Sequence, residues 1–403
     1  MATVSDLAKP ATGRARPKGR SRWWRVHAWI GLKLSLCLFV ILFSGTLAVL
    51  GNEIDWLADS AMRARPAAGT GASWGAIAAN AQAAVPGAKI DLIERGPDPW
   101  FATVVVLKAP DGHRRRVLVD PATGKVNRVA PFGGAERFLR DFHRRFMLPV
   151  AIGLPIVTAF ALLMVASLVT GLISYKKFWR GFFRKPRGDN LRTTAGDLHR
   201  LAGLWSIWFV SLIVATSLWY LIELFGGAAR PLLPLERAAK GAPTALVQPV
   251  GAELDRLAAA ARQAYPQLVV KRVLYPFPGM RMVGFQGDAG TMLTTEKADA
   301  VFVDPATGAV GLRVIGKTLN VHSRISEMAD PIHFGTWGGL ASKLVWFVFG
   351  LFLTGLSVTG MIVYATRLRG GIGVYLRGAS WWLAPSGILV MAALWFTPKV
   401  LAG

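Results

Sequence analysis

The chain contains one cysteine, Cys37, in 403 residues. A lone cysteine excludes an internal disulfide, a thiolate metal cluster and a C-x-x-C-H haem attachment. It leaves Cys37 as a small apolar packing residue. Acidic residues are scarce too: 23 Asp and Glu face 47 Lys and Arg, for a formal charge of +24. No nicotinamide or flavin fingerprint is present. The one glycine-rich basic stretch, Arg369-Gly-Gly-Ile-Gly-Val374, lacks the strand–turn–helix setting that a dinucleotide site requires. Histidine is rare, with six in the chain, so the places where it does occur carry weight.

What is abundant is apolar sequence. Ala28–Leu50, Met147–Tyr175, Leu201–Ile222 and Leu344–Thr366 carry at most one charge each, Lys33 in the first. About 20 apolar residues span the roughly 30 Å hydrocarbon layer, so each run is long enough to cross. A fifth run, Trp381–Thr397, is shorter and holds Pro385, with Pro398 beside it; it reads as a further span. The mean hydropathy of +0.39 and the 15 tryptophans fit a polytopic membrane protein, since Trp gathers at membrane interfaces. The first run is too long for a signal-peptide core and reads as a retained anchor.

The charge is distributed unevenly. The tail up to Arg25 has seven Lys and Arg and one acid, Asp6. The connection after the second run holds Lys176, Lys177, Arg180, Arg184, Lys185, Arg187 and Arg192, and that after the fourth holds Arg367, Arg369 and Arg377. Of the 23 acids, 19 lie in the two long segments 52–146 and 226–339. This is the positive-inside asymmetry, and it removes the case for nucleic acid as a partner. The expected layout is a basic cytoplasmic tail (1–25), a first span (26–51), an outer domain (52–143) and a second span (144–175). A basic cytoplasmic loop (176–198), a third span (199–225), a second outer domain (226–335) and a fourth span (336–366) follow. A cytoplasmic loop (367–379) and a fifth span (380–398) complete it. The lipid bilayer is thus the first partner.

The chain also repeats itself. Val117-Leu-Val-Asp-Pro-Ala-Thr-Gly-Lys-Val126 recurs as Val301-Phe-Val-Asp-Pro-Ala-Thr-Gly-Ala-Val310. The fold class expected is therefore a polytopic α-helical membrane protein, internally duplicated as helix, outer α+β domain, helix, with a fifth C-terminal span. In each outer segment, Ser73–Val85 and Ala252–Tyr265 have helical spacing and end at Pro86 and Pro266, since proline cannot continue the ladder. Phe101–Leu107, Arg116–Asp120 and Ala300–Asp304 are strand-like, and Asp-Pro-Ala-Thr-Gly is a turn. No catalytic dyad or metal cluster is evident in either domain, and His113 lies on a polar loop.

Four of the six histidines stand where a span begins. His27 and His199 fall at equivalent points of the repeat at the inner edge; His143 and His333 match at the outer edge. Two neutral imidazoles facing each other across a helical bundle can hold a haem iron from both sides. The readings are then an inner haem b on His27 and His199 and an outer haem b on His143 and His333. Capping or headgroup contact is the competing reading for each. Gly31 and Gly203 follow their histidines by four residues, leaving room for a flat macrocycle or, equally, for close helix packing. Arg25 and Arg200 flank the inner pair, and Arg144 and Arg145 the outer, where arginine would suit haem propionates or lipid headgroups. His322, with Phe132 at the corresponding offset, reads first as a loop residue and second as an alternative outer ligand.

Several stretches resemble the PepSY-associated transmembrane family: Asp330-Pro-Ile-His333-Phe-Gly-Thr-Trp-Gly-Gly, Val169-Thr-Gly171, Val358-Thr-Gly360, Leu198-His-Arg-Leu-Ala-Gly203 and Phe43-Ser-Gly-Thr46. The Asp-Pro-Ala-Thr-Gly repeats resemble the turn of the PepSY domain. The resemblance covers nearly all of 20–366. It implies a bacterial inner-membrane protein with two PepSY-like periplasmic domains, and a haem-dependent ferric-siderophore reductase that draws electrons from an unidentified donor, cytoplasmic or quinol. The alternative it implies is a sensor or regulator that binds a ligand or protein through its outer domains. Transport ranks last, because Glu223 is the only carboxylate near a membrane core and no proton relay accompanies it.

Overall fold

The computed structural model describes residues 22–33, 35–66, 69, 71–175, 177–229, 232–235, 246–366, 387 and 389–402. Apolar length dictates the first layer. The helices Val150–Ser174, Ile207–Gly227 and Thr336–Ala365 are long and apolar enough to cross a bilayer, and Leu36–Ala48 with Gly51–Ala58, bent by 63°, makes a fourth if counted as one. The protein is a membrane protein with a helical bundle and a β-sheet at one end of it.

The first span is α1 (Arg22–Lys33) followed by α2 (Ser35–Ala48), with α3 (Gly51–Ala58) turning off its end. The third is likewise in two pieces, α7 (Leu191–Trp205) and α8 (Ile207–Ile222), jointed at the fully buried Ser206. The unbroken spans are α6 (Val150–Ser174) and α11 (Gly339–Ala365). Packing exchanges partners at mid-height. The lower pieces α1 and α7 lie on α6 and α11, while the upper pieces α2 and α8 lie on α11 and α6 respectively. Small residues permit the approach: a β-carbon at Gly350 of α11 would fall 2.6 Å from Thr46 Oγ1, as expected where helices associate without a hydrophobic drive.

Two further helices, α5 (Ala135–Arg145) and α10 (Val321–Phe334), precede α6 and α11. This moves one expected boundary. The second span begins at Val150 instead of 144, because the chain reverses at Phe146 and Met147 with φ of 51° and 58°. The fourth candidate span runs over Thr336–Ala365, with a single tight turn over Thr336–Gly338 leading into α11. The tail to residue 21, Lys176, the loop 367–379 and the first part of the fifth run lie outside the described residues. What is described there is α12, the apolar helix Leu389–Ala402, too short to span alone. Its Leu389, Ala392 and Phe396 pack beside Ile41, Phe146 and Leu148.

The sheet has strands β1 (Lys89–Glu94), β2 (Thr103–Lys108), β3 (Arg114–Val119) and β4 (Val126–Pro131), after helix α4 (Trp74–Ala84). The same order recurs as α9 (Gly251–Ala264), β5 (Val269–Leu274), β6 (Val283–Asp288), β7 (Asp299–Val303) and β8 (Val310–Val314). Both Asp-Pro-Ala-Thr-Gly turns close alike. Asp120 Oδ1 accepts from Ala122 N and Thr123 N, and Asp304 Oδ1 from Ala306 N and Thr307 N. Gly124 and Gly308 supply φ of 74° and 77°, which only glycine adopts without cost.

The two outer segments form one body. The strand order is β4-β3-β2-β1-β5-β6-β7-β8, so β1 and β5 join them in antiparallel pairing, with Leu92 opposite Leu274 and Glu94 opposite Arg272. Glu94 accepts from Arg272 at 2.9 Å and Lys297 at 2.8 Å. Burial alone would raise its carboxyl, but these two cations outweigh burial and hold it below the usual range. On one face α4 and α9 pack together over a shared core with Ile77, Leu107, Leu257, Tyr275 and Phe285. A β-carbon at Gly75 would fall 1.9 Å from Gly251 O.

The first and fourth spans are tied together by a buried ion pair. Lys343 of α11, 5 % exposed, donates to both carboxylate oxygens of Glu53 on α3 at 2.5 and 2.6 Å. Removing one partner strands a buried charge. We predict that Lys343→Met destabilises the protein by about 3–5 kcal/mol, whereas Lys343→Met with Glu53→Gln recovers most of that loss. Thermal unfolding in detergent checks this; equal melting of the single and double variants would contradict it.

Candidate functional site

The four histidines meet in two pairs, one at each end of the bundle. At the far end, His27 on α1 and His199 on α7 have ring centres 6.3 Å apart, with planes at 79°. At the sheet end, His143 on α5 and His333 on α10 have centres 6.2 Å apart, with planes at 38°. All four rings are half-buried. His199 and Thr216, which meets the sheet-end pair, are 17 residues apart on one jointed span, about 25 Å at 1.5 Å per residue. The pairs thus stand near the two surfaces of an apolar layer.

Each imidazole is held by the same nitrogen. His27 Nδ1 donates to the Ser167 carbonyl at 3.0 Å, with Thr170 Oγ1 at 3.3 Å. His199 Nδ1 donates to the Leu356 carbonyl at 3.0 Å, with Thr359 Oγ1 at 3.1 Å. His143 Nδ1 donates to the Ile41 carbonyl at 2.9 Å. His333 Nδ1 lies 2.8 Å from Thr216 Oγ1, whose own proton goes to the Leu212 or Ile213 carbonyl, so the histidine is the donor there too. A carbonyl or engaged hydroxyl on Nδ1 fixes the proton on that nitrogen and leaves the Nε2 lone pair for a metal.

Glycine shapes the seats. A β-carbon at Gly171 would stand 3.4 Å from His27 Cε1, and one at Gly360 3.5 Å from His199 Cε1, while one at Gly45 would press into His143 at 2.6 Å. These glycines lie on the helix opposite each histidine. The expected Gly203 instead faces Leu356 Cδ2 at 3.7 Å, an ordinary contact with α11 one turn away from the imidazole. The surroundings of Gly31 lie outside the described residues.

The arginines divide. Arg200 bonds Asp197 at 3.1 Å and the Arg184 carbonyl at 3.1 Å. Arg145 bonds Asp141 and the Leu148 carbonyl, closing the turn between α5 and α6. Both are tied to the protein's own groups. Arg25 and Arg144 are exposed. His322 is the second residue of α10, exposed, with Trp219 edge-on at 5.4 Å. Eleven residues before His333, it is about 16 Å away along the helix, too far to join that pair. His113 is exposed on the β2–β3 hairpin.

Among the described residues, no three or more His, Cys, Asp or Glu group as a metal cage. Two-imidazole axial ligation is a different geometry. Metal–nitrogen bonds of about 2.0–2.1 Å, extended by each imidazole's own radius, put two coaxial ring centres about 6 Å apart. Both pairs match that separation. Two imidazoles sharing one metal can stand at any interplanar angle about the line that joins them, so neither 79° nor 38° conflicts with it.

Thr170, Gly171, Thr359, Gly360 and Gly45 of the seats were present in the motifs Val169-Thr170-Gly171, Val358-Thr359-Gly360 and Phe43-Ser-Gly45-Thr46, whereas Thr216 was in none of them. Their role could have been found by asking what a helix passing a histidine must offer, namely a hydroxyl and a missing side chain. Tyr220 is a further residue of the sheet-end site. Its hydroxyl donates to Asp330 at 2.6 Å and its ring lies edge-on to His333 at 5.3 Å.

The family profile described as the PepSY-associated TM region matches residues 24–367, and the chain belongs to that family. No curated protein matches it.

The position of His143 rests on Asp55. That buried carboxylate accepts from Ala135 N at 2.7 Å and Glu136 N at 3.2 Å, capping α5 from another helix. Asp55→Ala is expected to cost about 1–2 kcal/mol, read as a lowered midpoint in thermal unfolding. An unchanged midpoint would contradict the assignment.

Proposed function

We propose that this member of the PepSY-associated transmembrane family is a di-haem electron-transfer protein that reduces ferric chelates on the sheet side of the membrane. The observation carrying the reading is the separation of both histidine pairs, 6.3 and 6.2 Å, together with the Nδ1 bond on every ring. His27 and His199 would hold one haem b, and His143 and His333 the other. If bound there, haem would supply one-electron exchange, its potential tuned by the imidazoles that hold it and the surrounding dielectric.

The chain's own groups set the conditions. Ser167, Ile41, Leu356 and Thr216 keep each imidazole in one tautomer, and Gly45, Gly171 and Gly360 keep the rings unobstructed. Arg25 and Arg144, exposed beside the pairs, suit anionic propionates. The matched pairs and the matched α4-β1-to-β4 and α9-β5-to-β8 units support an internal duplication, with α12 as part of a fifth span. The basic tail and loops support a cytoplasmic far end and a periplasmic sheet in a bacterial inner membrane. The donor would then be a cytoplasmic protein or a quinol. A sensor without redox activity is the rival, and the spectrum separates them.

Purified protein from haem-replete cells should be red, with two b-type haems per chain and low-spin spectra; a colourless preparation would leave the sensor reading. His199→Ala should remove one haem and spare the other. Thr216→Val takes the only Nδ1 partner that His333 has among the described residues and should weaken sheet-end haem affinity about 10- to 100-fold. Thr359→Val should do less, because His199 keeps the Leu356 carbonyl. Equal effects of the two threonine variants in haem titrations would contradict the assigned roles.

A further inference from the structure

The matched halves differ in what covers them. Counted from the paired histidines, α2, α5 and α6 of the first half correspond to α8, α10 and α11 of the second. In the first half these helices present apolar side chains that α12 covers. Its Leu389, Ala392 and Phe396 share one cluster with Val40, Phe142, Leu148 and Ile156, and its Ala393 is buried. Leu401 reaches the sheet end, where a β-carbon at Gly133 would fall 2.9 Å from its own. α12 follows residue 367, where the match to the family profile ends, so it is an addition to the repeated unit.

The second half keeps the groove without the helix. The counterparts of Val40, Phe142, Leu148 and Ile156 are Leu212, Ile332, Gly338 and Trp346, and all four line a cavity of about 700 Å³. Trp208 and Trp337 form its exposed rim. Its floor is firm. Trp346 is buried, and its indole N–H donates to the Ile332 carbonyl at 2.8 Å. The Trp346 ring lies 5.6 Å from that of Phe209 and 5.8 Å from those of Trp208 and Trp337. The Ser342 hydroxyl donates to the Gly335 carbonyl at 2.6 Å. Both polar groups of the floor are thus satisfied within the protein, and the side chains around them are apolar.

Such a lining selects a hydrocarbon occupant, because it offers a buried polar group no partner. A bilayer supplies two, an acyl chain and an apolar helix. The first half favours the helix, since the same positions of the matched unit take α12. Gly338 and Ala341 on the cavity wall allow a second backbone to approach closely. The fifth span of a second copy is a poor candidate. A two-fold along the membrane normal relates the halves, as the central β1–β5 pairing has it, and sets α12 and the cavity on opposite flanks. Copies joined in that way would run on as open rows.

We infer that the cavity between α8, α10 and α11 is the seat of an apolar membrane-spanning helix supplied by a separate protein. The inference rests on the equivalence of the halves drawn on above and is independent of haem. Ile332 precedes His333, so the docked helix stands beside the sheet-end pair.

The test uses the full-length chain in the membranes of its own cell. The photo-crosslinking residue p-benzoylphenylalanine is placed at Val345, on the cavity wall, and in a separate variant at Leu162, exposed on α6 outside it. Irradiation should join position 345 to one protein, within an apolar run of about 20 residues, and should not join position 162 to it. A fluorescent synthetic peptide of that run should then bind the purified protein in nanodiscs. Ala341→Trp fills the cavity and should weaken binding at least about 10-fold, with haem content and melting midpoint unchanged. Trp337→Ala, which removes part of the rim, should weaken it independently. Phospholipid adducts alone at position 345, or a second copy of this chain as the captured protein, would overturn the inference. So would a peptide that fails to bind or binds both variants as well as the unaltered chain. A helix captured by a colourless protein would sustain it while the redox reading fails; a red protein with lipid adducts alone would do the reverse.

Discussion

The structure depends on one kind of hydrogen bond, from histidine Nδ1 to a carbonyl or hydroxyl of a neighbouring helix. An imidazole in an apolar layer has two nitrogens to satisfy, and an unpaired polar group there is costly. When the facing helix takes the Nδ1 proton, the ring is fixed in tautomer and orientation, and Nε2 is left as a base. Four such bonds, at Ser167, Leu356, Ile41 and Thr216, place four imidazoles in two pairs whose spacing suits one metal atom each.

Much else in the bundle serves that placement. The broken spans exchange neighbours at mid-height, so that α1 and α7 reach α6 and α11 at the far end. At the sheet end, short helices α5 and α10 descend from the sheet and bring His143 and His333 onto α2 and α8. α5 is capped from another helix by Asp55, while α10 has its own N-cap, Asn320, whose side chain accepts from Ser323 N. The continuous sheet, joined at β1 and β5, fixes the spacing between α5 and α10, because each leaves an opposite end of it. The sheet thereby governs the sheet-end pair.

Part of this was legible in the sequence. Apolar length marked the candidate spans, the decapeptide repeat fell on the turns after β3 and β7, and the rarity of histidine drew attention to four residues that stand in two pairs. The helices ending at Pro86 and Pro266 and the Asp-Pro-Ala-Thr-Gly turns fell where proline and glycine require. The rest depended on long-range geometry. Nothing local in Leu92 or Leu274 says that two outer segments share a sheet, since either edge strand could have been left solvated. Gly203 sits one turn from His199 yet faces Leu356, while Gly360, 161 residues away in sequence, lies against the ring. Helical spacing reveals which residues share a face, and it is silent on which helix that face meets. Arg145 and Arg200 stand beside histidines in sequence but answer to Asp141 and Asp197, nearer carboxylates on the same helices.

The most direct measurement is a density map of the purified protein resolving the two histidine pairs. The account requires one porphyrin iron between His27 and His199 and one between His143 and His333, each bonded to Nε2 of both rings at about 2.0 Å. Imidazoles in direct contact with each other, or an iron bound through Nδ1, would contradict it.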